Sequence, residues 1–329
     1  MAEHGGNIDE AAKRYGVNAD EMYDLSTGIS PIAYDCPLPS SAAYQALPVA
    51  TKLEALCAAA RHAYNVPQHA AICAGAGSQA LLSALPYLME KPRLVWCPEP
   101  TYNEHRHRWE LAGHHVDGGA DCPADADIII LGQPNNPSGR LWSQSEMMGY
   151  LAHVKDRGGF LVIDEAFADP VAGASFMAHA GDEALIILRS VGKFYGLAGL
   201  RVGFAIGGVS RIESLTDVIG PWPISGPAQD VACQALLDDA WREAHQKRLI
   251  IMAQEMHDLM QEVGLTSIAH TPLFVTISHP KAHDLHHYLA QHGFWTRIYQ
   301  NDKTMLRLGL LADRQAFGKL AMHIRQWPK

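Results

Sequence analysis

The sequence has no surplus of basic residues. Its 35 Asp and Glu outnumber 26 Lys and Arg, for a formal net charge of -9, whereas phosphate backbones and anionic headgroups are held by clustered cations. Nucleic acid and membrane surfaces are excluded as partners on that balance, and any bound anion has to be held by a local cluster. The chain also lacks a run of about 18 apolar residues, the length of a membrane helix. Its start, Met1-Ala2-Glu3-His4-Gly5-Gly6, lacks the basic-then-apolar pattern of a secretory leader. The 6 cysteines (Cys36, Cys57, Cys73, Cys97, Cys122, Cys233) include no C-x-x-C pair, so neither a disulfide framework nor a zinc site is expected. They read as small buried residues of a cytoplasmic protein.

What is present is an ordinary globular composition in a regular alternation. Of 329 residues, 48% are hydrophobic and 19% charged, enough for a large core in one or two domains. Helical periodicity runs over Ile8 to Tyr15, Lys52 to Tyr64, Ser78 to Met89 and Gln144 to Arg157. Short apolar runs predict strands at Arg93 to Cys97, Asp127 to Leu131, Phe160 to Ile163, Leu185 to Arg189 and Val202 to Ile206. Such strands separated by helices predict an α/β fold, a mainly parallel central sheet covered on both faces. Beyond the Pro/Gly-rich stretch Gly220 to Pro227, one long helix is predicted over Ala228 to Val263. Strands at Leu273 to Ile277 and Met305 to Leu310 then flank a helix at Ala282 to His292. The expected organisation is an N-terminal arm over residues 1–40, a large domain over 41–227 and a smaller C-terminal α/β domain over 228–329.

Ligands of open α/β sheets bind beyond the carboxyl ends of strands, so the chemistry is sought in the loops there. Four qualify. Ala74-Gly75-Ala76-Gly77-Ser78-Gln79 opens a helix, where small residues let backbone N–H groups approach an anion. Gln133-Pro134-Asn135-Asn136-Pro137-Ser138-Gly139 can aim an Asn amide into a crevice. Val162-Ile163-Asp164-Glu165 ends an apolar strand in an acidic pair, and a carboxylate there can keep a ring nitrogen protonated. Arg189-Ser190-Val191-Gly192-Lys193 runs on to Gly199-Leu200-Arg201; it sets a hydroxyl and a guanidinium, both suited to a phosphate, around a lysine that can form an imine. Taken singly, each loop has a plainer account as a turn, a helix cap, a salt-bridged Asp or a surface Lys. Their occurrence together in one chain order argues for a site.

These motifs resemble the fold-type-I pyridoxal-phosphate enzymes in their histidinol-phosphate-aminotransferase-like branch, over about Tyr23 to Arg307. The resemblance implies that Lys193 forms the Schiff base with pyridoxal 5'-phosphate, Asp164 pairs with the pyridinium nitrogen and Asn136 bonds the phenolic oxygen. Gly77, Ser78, Ser190 and Arg201 hold the cofactor phosphate in that scheme, Tyr102 lies on the ring face, and Arg307 clamps the substrate α-carboxylate. The arm segments His4-Gly5-Gly6-Asn7-Ile8 and Asp24-Leu25-Ser26-Thr27-Gly28-Ile29-Ser30-Pro31 resemble the threonine-phosphate decarboxylases of cobalamin biosynthesis. These convert L-threonine O-3-phosphate to (R)-1-amino-2-propanol O-2-phosphate. His4 and Gly28 become candidate substrate contacts by that likeness, His4 for the substrate's phosphate, and a homodimer is implied.

Three departures point away from a standard transaminase: Phe167 in place of a phenol, Gly192 in place of a hydroxyl residue before the lysine, and Leu47-Pro48 in place of Tyr-Pro. A histidinol-phosphate-type aminotransferase is the alternative activity, and a non-enzymatic cofactor-binding regulator finds no basic segment to support it. The histidine pairs His105/His107, His114/His115 and His286/His287 lack a third ligand at helical spacing, so they read as exposed side chains rather than metal ligands.

Overall fold

The computed structural model describes residues 5–328. The chain divides into two compact units, the larger holding residues 33–136 and 140–243 and the smaller the N-terminal residues through Ile32, the tripeptide Pro137–Gly139 and the residues from Ala244 onward. The expected boundary after residue 227 and the separate arm over 1–40 are drawn differently by packing. Helix Gly226–Leu237 packs on helix Ala50–Ala63 and so stays with the larger unit. The arm's helix Ile8–Tyr15 and short strand β1 (Tyr23–Asp24) belong to the smaller one.

The larger unit is built on seven strands: β2 (Ala71–Gly75), β3 (Leu94–Trp96), β4 (His115–Asp117), β5 (Ile128–Gly132), β6 (Phe160–Asp164), β7 (Leu185–Ser190) and β8 (Gly203–Gly207), in the order β2-β8-β7-β6-β5-β3-β4. Neighbours are parallel except that β8 runs antiparallel to both β2 and β7. Every residue of β5 to β8 is buried, as expected of strands covered on both faces. Parallel neighbours require crossovers, and helix Gln144–Asp156 supplies the one between β5 and β6. It starts at a capping box in which Ser143 Oγ accepts from Glu146 N at 3.2 Å. On one face Leu81, Leu85, Trp109, Ile212 and Leu215 pack over Val95, Ile128, Phe160 and Ile186.

The single helix expected over Ala228 to Val263 is two, Gly226–Leu237 and Asp239–Glu262. Asp238 breaks it because its side chain does something a helix interior does not allow: Oδ1 accepts from Trp241 N at 2.9 Å, capping the second helix, and Oδ2 accepts from Tyr34 Oη at 3.2 Å. Two elements of the larger unit escape the apolar pattern altogether. Strand β2 is made of small residues apart from Ile72, and helix Asn103–Leu111 is polar along most of its length.

The smaller unit carries β9 (Thr266–Thr271), β10 (Phe274–Ser278), β11 (Phe294–Trp295), β12 (Arg297–Tyr299) and β13 (Asp302–Gly309). Strands β12-β13-β10-β9 form an antiparallel sheet, and β1 pairs in parallel with β11. The N-terminal segment continues that pairing. Leu25 N donates to Trp295 O at 2.7 Å and Leu25 O accepts from Gly309 N at 2.8 Å.

The histidines correct the expectation of exposure, for His105, His114 and His286 are all buried. His286 lies among Tyr15, Trp295 and Thr296, with Nδ1 2.8 Å from Thr296 Oγ1. Burial first, and then His287, His283 and nearby arginines, lower its pKa to about 3. An unfolded chain takes up this proton near pH 6.5 and the folded one only near pH 3, so the stability His286 contributes is present above pH 6.5 and lost on acidification. Between those limits, His286→Gln should remove about 1.4 kcal/mol per pH unit from the acid dependence of unfolding. Denaturant melts at pH 7 and pH 5 check it; equal slopes in both proteins would refute it.

Candidate active site

In the larger unit the strand register itself assembles an anion cup. Gly203 of β8 lies opposite Gly75 of β2 on one side and Ser190 of β7 on the other. The loop after β2, the end of β7 and the segment leading into β8 therefore meet at one sheet end. Gly77 has a φ of 79° and precedes Ser78, first residue of helix Ser78–Ala84. A Cβ on Gly77 would overlap the Arg201 guanidinium, and one on Gly203 would overlap Ser78 N. Arg201 is itself held in the left-handed region at φ 56°, an unusual backbone for a non-glycine residue and a frequent mark of functional segments. Gly77, Ser78, Ser190 and Arg201 are thus brought together.

Lys193 follows Ser190 on the four-residue helix Val191–Phe194, half-buried, with Nζ 5.4 Å from the centroid of the Phe167 ring. Gly192 has a packing reason for its lack of a side chain: its Cβ would stand 3.1 Å from Ala198 Cα.

Asp164 ends β6, 9% exposed, beside Gly132 of β5. Its backbone carbonyl accepts from Gln133 N at 2.8 Å, which ties the Asn136 loop to it. Carboxylate Oδ1 accepts from Ala166 N at 3.1 Å, and Oδ2 lies 2.8 Å from His105 Nε2. His105 was missed in the sequence, where it passed for half of an exposed pair. Its surroundings fix its hydrogen-bond roles. Asn135 Nδ2 donates to Pro100 O at 2.7 Å, so its Oδ1 accepts from Thr101 Oγ1 at 2.8 Å, and Thr101 Oγ1 is left to accept from His105 Nδ1 at 3.1 Å. The imidazole is aimed at Asp164 by a chain of buried bonds. Tyr102, three residues before it, meets the His105 ring edge-on at 5.5 Å and donates to Gln79 Oε1 at 2.9 Å, next to Ser78. The signal available in the sequence was the spacing Thr101, Tyr102, His105 directly after a strand loop.

In the smaller unit Arg307 lies on β13, 6% exposed, its guanidinium 5.1 Å from the Phe274 ring centroid and Nη2 donating to Ser26 O at 2.6 Å. Its cross-strand partner on β12 is Arg297, also missed in the sequence. Directly opposed residues share a face, and like charges there repel. Gly28 is buried in the segment that passes Gly309, and His4 lies outside the described residues.

Most of these positions lie within a stretch that matches a known family. Residues 39–312 match the aminotransferase class I and II family. The chain belongs to that family. It is 37% identical over 325 residues to the threonine-phosphate decarboxylase of Pseudomonas aeruginosa, covering 97% of this chain and 96% of the relative. It is 35% identical over 322 residues to that of a Sinorhizobium species, covering 97% and 96%. Among solved structures, the histidinol-phosphate aminotransferase of Sinorhizobium meliloti in complex with pyridoxal-5'-phosphate superposes with a TM-score of 0.83 at 16% identity, covering 98% of this chain and 94% of that one. That likeness bears on the fold.

Behind the site, Glu165 and Arg189 hold the strand ends in place. Glu165, fully buried, pairs with Arg189 Nη2 at 2.8 Å and accepts from Ser175 Oγ at 2.8 Å and Phe176 N at 2.6 Å. Because Glu165 adjoins Asp164 and Arg189 adjoins Ser190, one ion pair fixes both neighbours. Arg189 Nη1 also lies 3.8 Å from the buried Asp169 Oδ2, so removing the arginine leaves two buried carboxylates without it. Arg189→Met should cost about 3–5 kcal/mol, while the double variant with Glu165→Gln should recover only part of it because Asp169 still lacks its arginine. Denaturant unfolding measures both, and an Arg189→Met protein within about 1 kcal/mol of wild type would show the pair to be dispensable.

Proposed function

We propose that the protein is a pyridoxal 5'-phosphate-dependent decarboxylase of L-threonine O-3-phosphate. The observation that carries the cofactor is the cup in which Gly77 leaves no room for a Cβ beside Arg201. A phosphate fits such a cup because it takes backbone N–H groups at a helix start and a guanidinium together. Gly77, Ser78, Ser190 and Arg201 would hold that phosphate, Lys193 the aldehyde carbon, Asp164 the protonated ring nitrogen, Asn136 the phenolic oxygen and Tyr102 the ring face. When bound, the cofactor supplies a sink for the electrons released as a bond at the substrate's α-carbon breaks.

The chain's own groups do the rest. Asp164 keeps a proton on the ring nitrogen, and His105 keeps Asp164 oriented. Lys193 returns a proton to the α-carbon after carbon dioxide leaves. The direction in which the substrate's carboxylate is held would select the bond broken at its α-carbon, so Arg307 and the Gly28 segment, as the groups that would place that carboxylate, would set the reaction. A phosphorylated amino acid has a second anion, and Arg297, opposed to Arg307, is suited to it; His4 is a further candidate for that phosphate. Phe167 leaves Asn136 as the group for the phenolic oxygen, in line with the divergence from transaminases.

Two wider features support the rest of this reading. Leu38 at 93%, Tyr44 at 65% and Leu47 at 68% exposure form a run of uncovered apolar side chains, which a second copy of the chain would cover in a homodimer. Six free thiols suit the reducing cytoplasm, and among the described residues no helix is long and apolar enough to cross a membrane.

Product analysis with L-threonine O-3-phosphate tests the activity. Carbon dioxide and a phosphorylated amino alcohol are expected, and a keto acid with a cofactor left in its amine form would mean transamination. Lys193→Ala should abolish turnover in a folded protein that still binds the cofactor. Borohydride should fix the cofactor at Lys193, and attachment elsewhere defeats the assignment.

The two arginines separate by ligand. Arg297→Gln should weaken binding of the phosphorylated substrate by about 1.5–3 kcal/mol, the range for a charge-assisted contact, with little effect on an unphosphorylated amino acid. Arg307→Lys keeps the charge but loses the planar fork, so both amino acids should bind less well while the cofactor stays. Loss of the cofactor in either variant would move that arginine to the cofactor site.

A further inference from the structure

Ser26 is 1% exposed, and all of its polar atoms are engaged. Its N–H and its hydroxyl both donate to Asp24 Oδ1, at 2.8 and 2.6 Å. With its proton committed there, Oγ accepts from Gly6 N at 2.8 Å. Its carbonyl oxygen is the one that accepts from Arg307 Nη2 at 2.6 Å. The arm passes so close at this point that a Cβ on Gly5 would stand 2.6 Å from the Ser26 carbonyl oxygen and 2.8 Å from Oγ. The atom that a side chain at residue 5 would strike is thus the anchor of the arginine.

We propose that Ser26, locked by Asp24 and by the Gly5-Gly6 backbone, is the positioning residue of Arg307, through which the N-terminal arm sets recognition of an α-carboxylate. A guanidinium is a rigid planar fork. Holding one nitrogen on a buried carbonyl and one face against the Phe274 ring fixes the plane of every other donor on it. The carbonyl can serve in this way only while it does not move, and it is fixed from three sides. Leu25 on one side of it is tied to Trp295 O and Gly309 N, its own side chain is tied to Asp24, and Gly5 presses on it from the arm. Residues distant in sequence, 5 and 6 on the arm and 307 on β13, are so coupled through one serine. The two glycines are required by the closeness of approach at Gly5 and by the φ of 94° at Gly6.

The inference rests on Arg307 binding the substrate carboxylate, as proposed above. It is tested on the holoenzyme with two probes that differ in that group, L-threonine O-3-phosphate and the phosphorylated amino alcohol without a carboxylate, each followed by the change in cofactor absorbance on binding. Ser26→Ala and Gly5→Ala should each weaken the amino acid about tenfold, the size of a loosened charge-assisted contact, and change the amine by less than about twofold. Ser26→Ala made in an Arg307→Lys background should add little, because the two changes disable one unit. Asp24→Ala loosens the same turn from outside and should act in the same direction, which keeps the test decisive where Ser26→Ala does not fold. Equal loss of both probes, no loss of either, or full additivity with Arg307→Lys overturns the proposal. If the wild-type protein transaminates, the proposed activity fails, yet the comparison of acid with amine still decides whether Ser26 positions the arginine.

Discussion

Close backbone approach at one end of the large sheet is the constraint on which the rest depends. Gly203 sits between β2 and β7 with a virtual Cβ 2.7 Å from Gly77 C and 2.9 Å from Arg189 O, so three chain segments meet where one side chain would part them. From that junction follow the positions of Ser78, Ser190 and Arg201, each one or a few residues away from it. Strand β8 has to run antiparallel to both neighbours to bring its first residue there. An otherwise parallel sheet thereby places a loop that enters a strand beside loops that leave strands, and a single phosphate can be served from both kinds.

The same logic explains why the acidic and basic strand ends are braced from behind. Asp164 and Ser190 end adjacent strands, and each is followed or preceded by a member of the buried Glu165 and Arg189 pair. Burial pushes the Glu165 carboxyl up, with Arg189 opposing that shift. A pair of this kind contributes little to net stability compared with apolar packing. Its value lies in direction: Glu165 is bonded to Ser175 and Phe176 as well, so the strand ends cannot slide relative to each other without stranding a charge.

The strands β5 to β8 and the loops after β5, β6 and β7 were legible in the sequence because continuous apolar runs leave no alternative to burial, and because Asp164, Asn136 and Lys193 are chemically conspicuous at run ends. His105 was not legible. A histidine on a polar helix looks solvent-facing until the fold lays Thr101 and Asp164 on its two nitrogens. Arg297 was hidden for a related reason, since its meaning comes from cross-strand register with Arg307, and strand β12 is only three residues long. The break at Asp238 was equally invisible, because helical periodicity persists across it and the capping bonds to Trp241 and Tyr34 are local chemistry that periodicity does not report. What sequence reading misses here is second partners: residues whose identity is ordinary and whose neighbours are not.

The placement of the cations bears on how a chain with a formal charge of -9 could take the doubly anionic substrate proposed for it. Long-range attraction is absent, and salt screens what remains within about 10 Å. Recognition then has to come from short-range geometry. Arg307 is buried and Arg297 half-buried, so both act close to the low-dielectric interior, where a charge-assisted contact counts for more than at the surface. Like charges at directly opposed strand positions repel, and an anion bound there would relieve that repulsion. A monoanion would relieve part of it and a substrate with both carboxylate and phosphate more, so under the proposed assignment the opposed pair would discriminate by charge count without any net basicity of the protein. Orientation would come from a different source, the buried carbonyl of Ser26, which is neutral and cannot compensate the charge. Under the proposed assignment charge selection and bond selection would therefore rest on separate groups, so each could change through substitution without rebuilding the other.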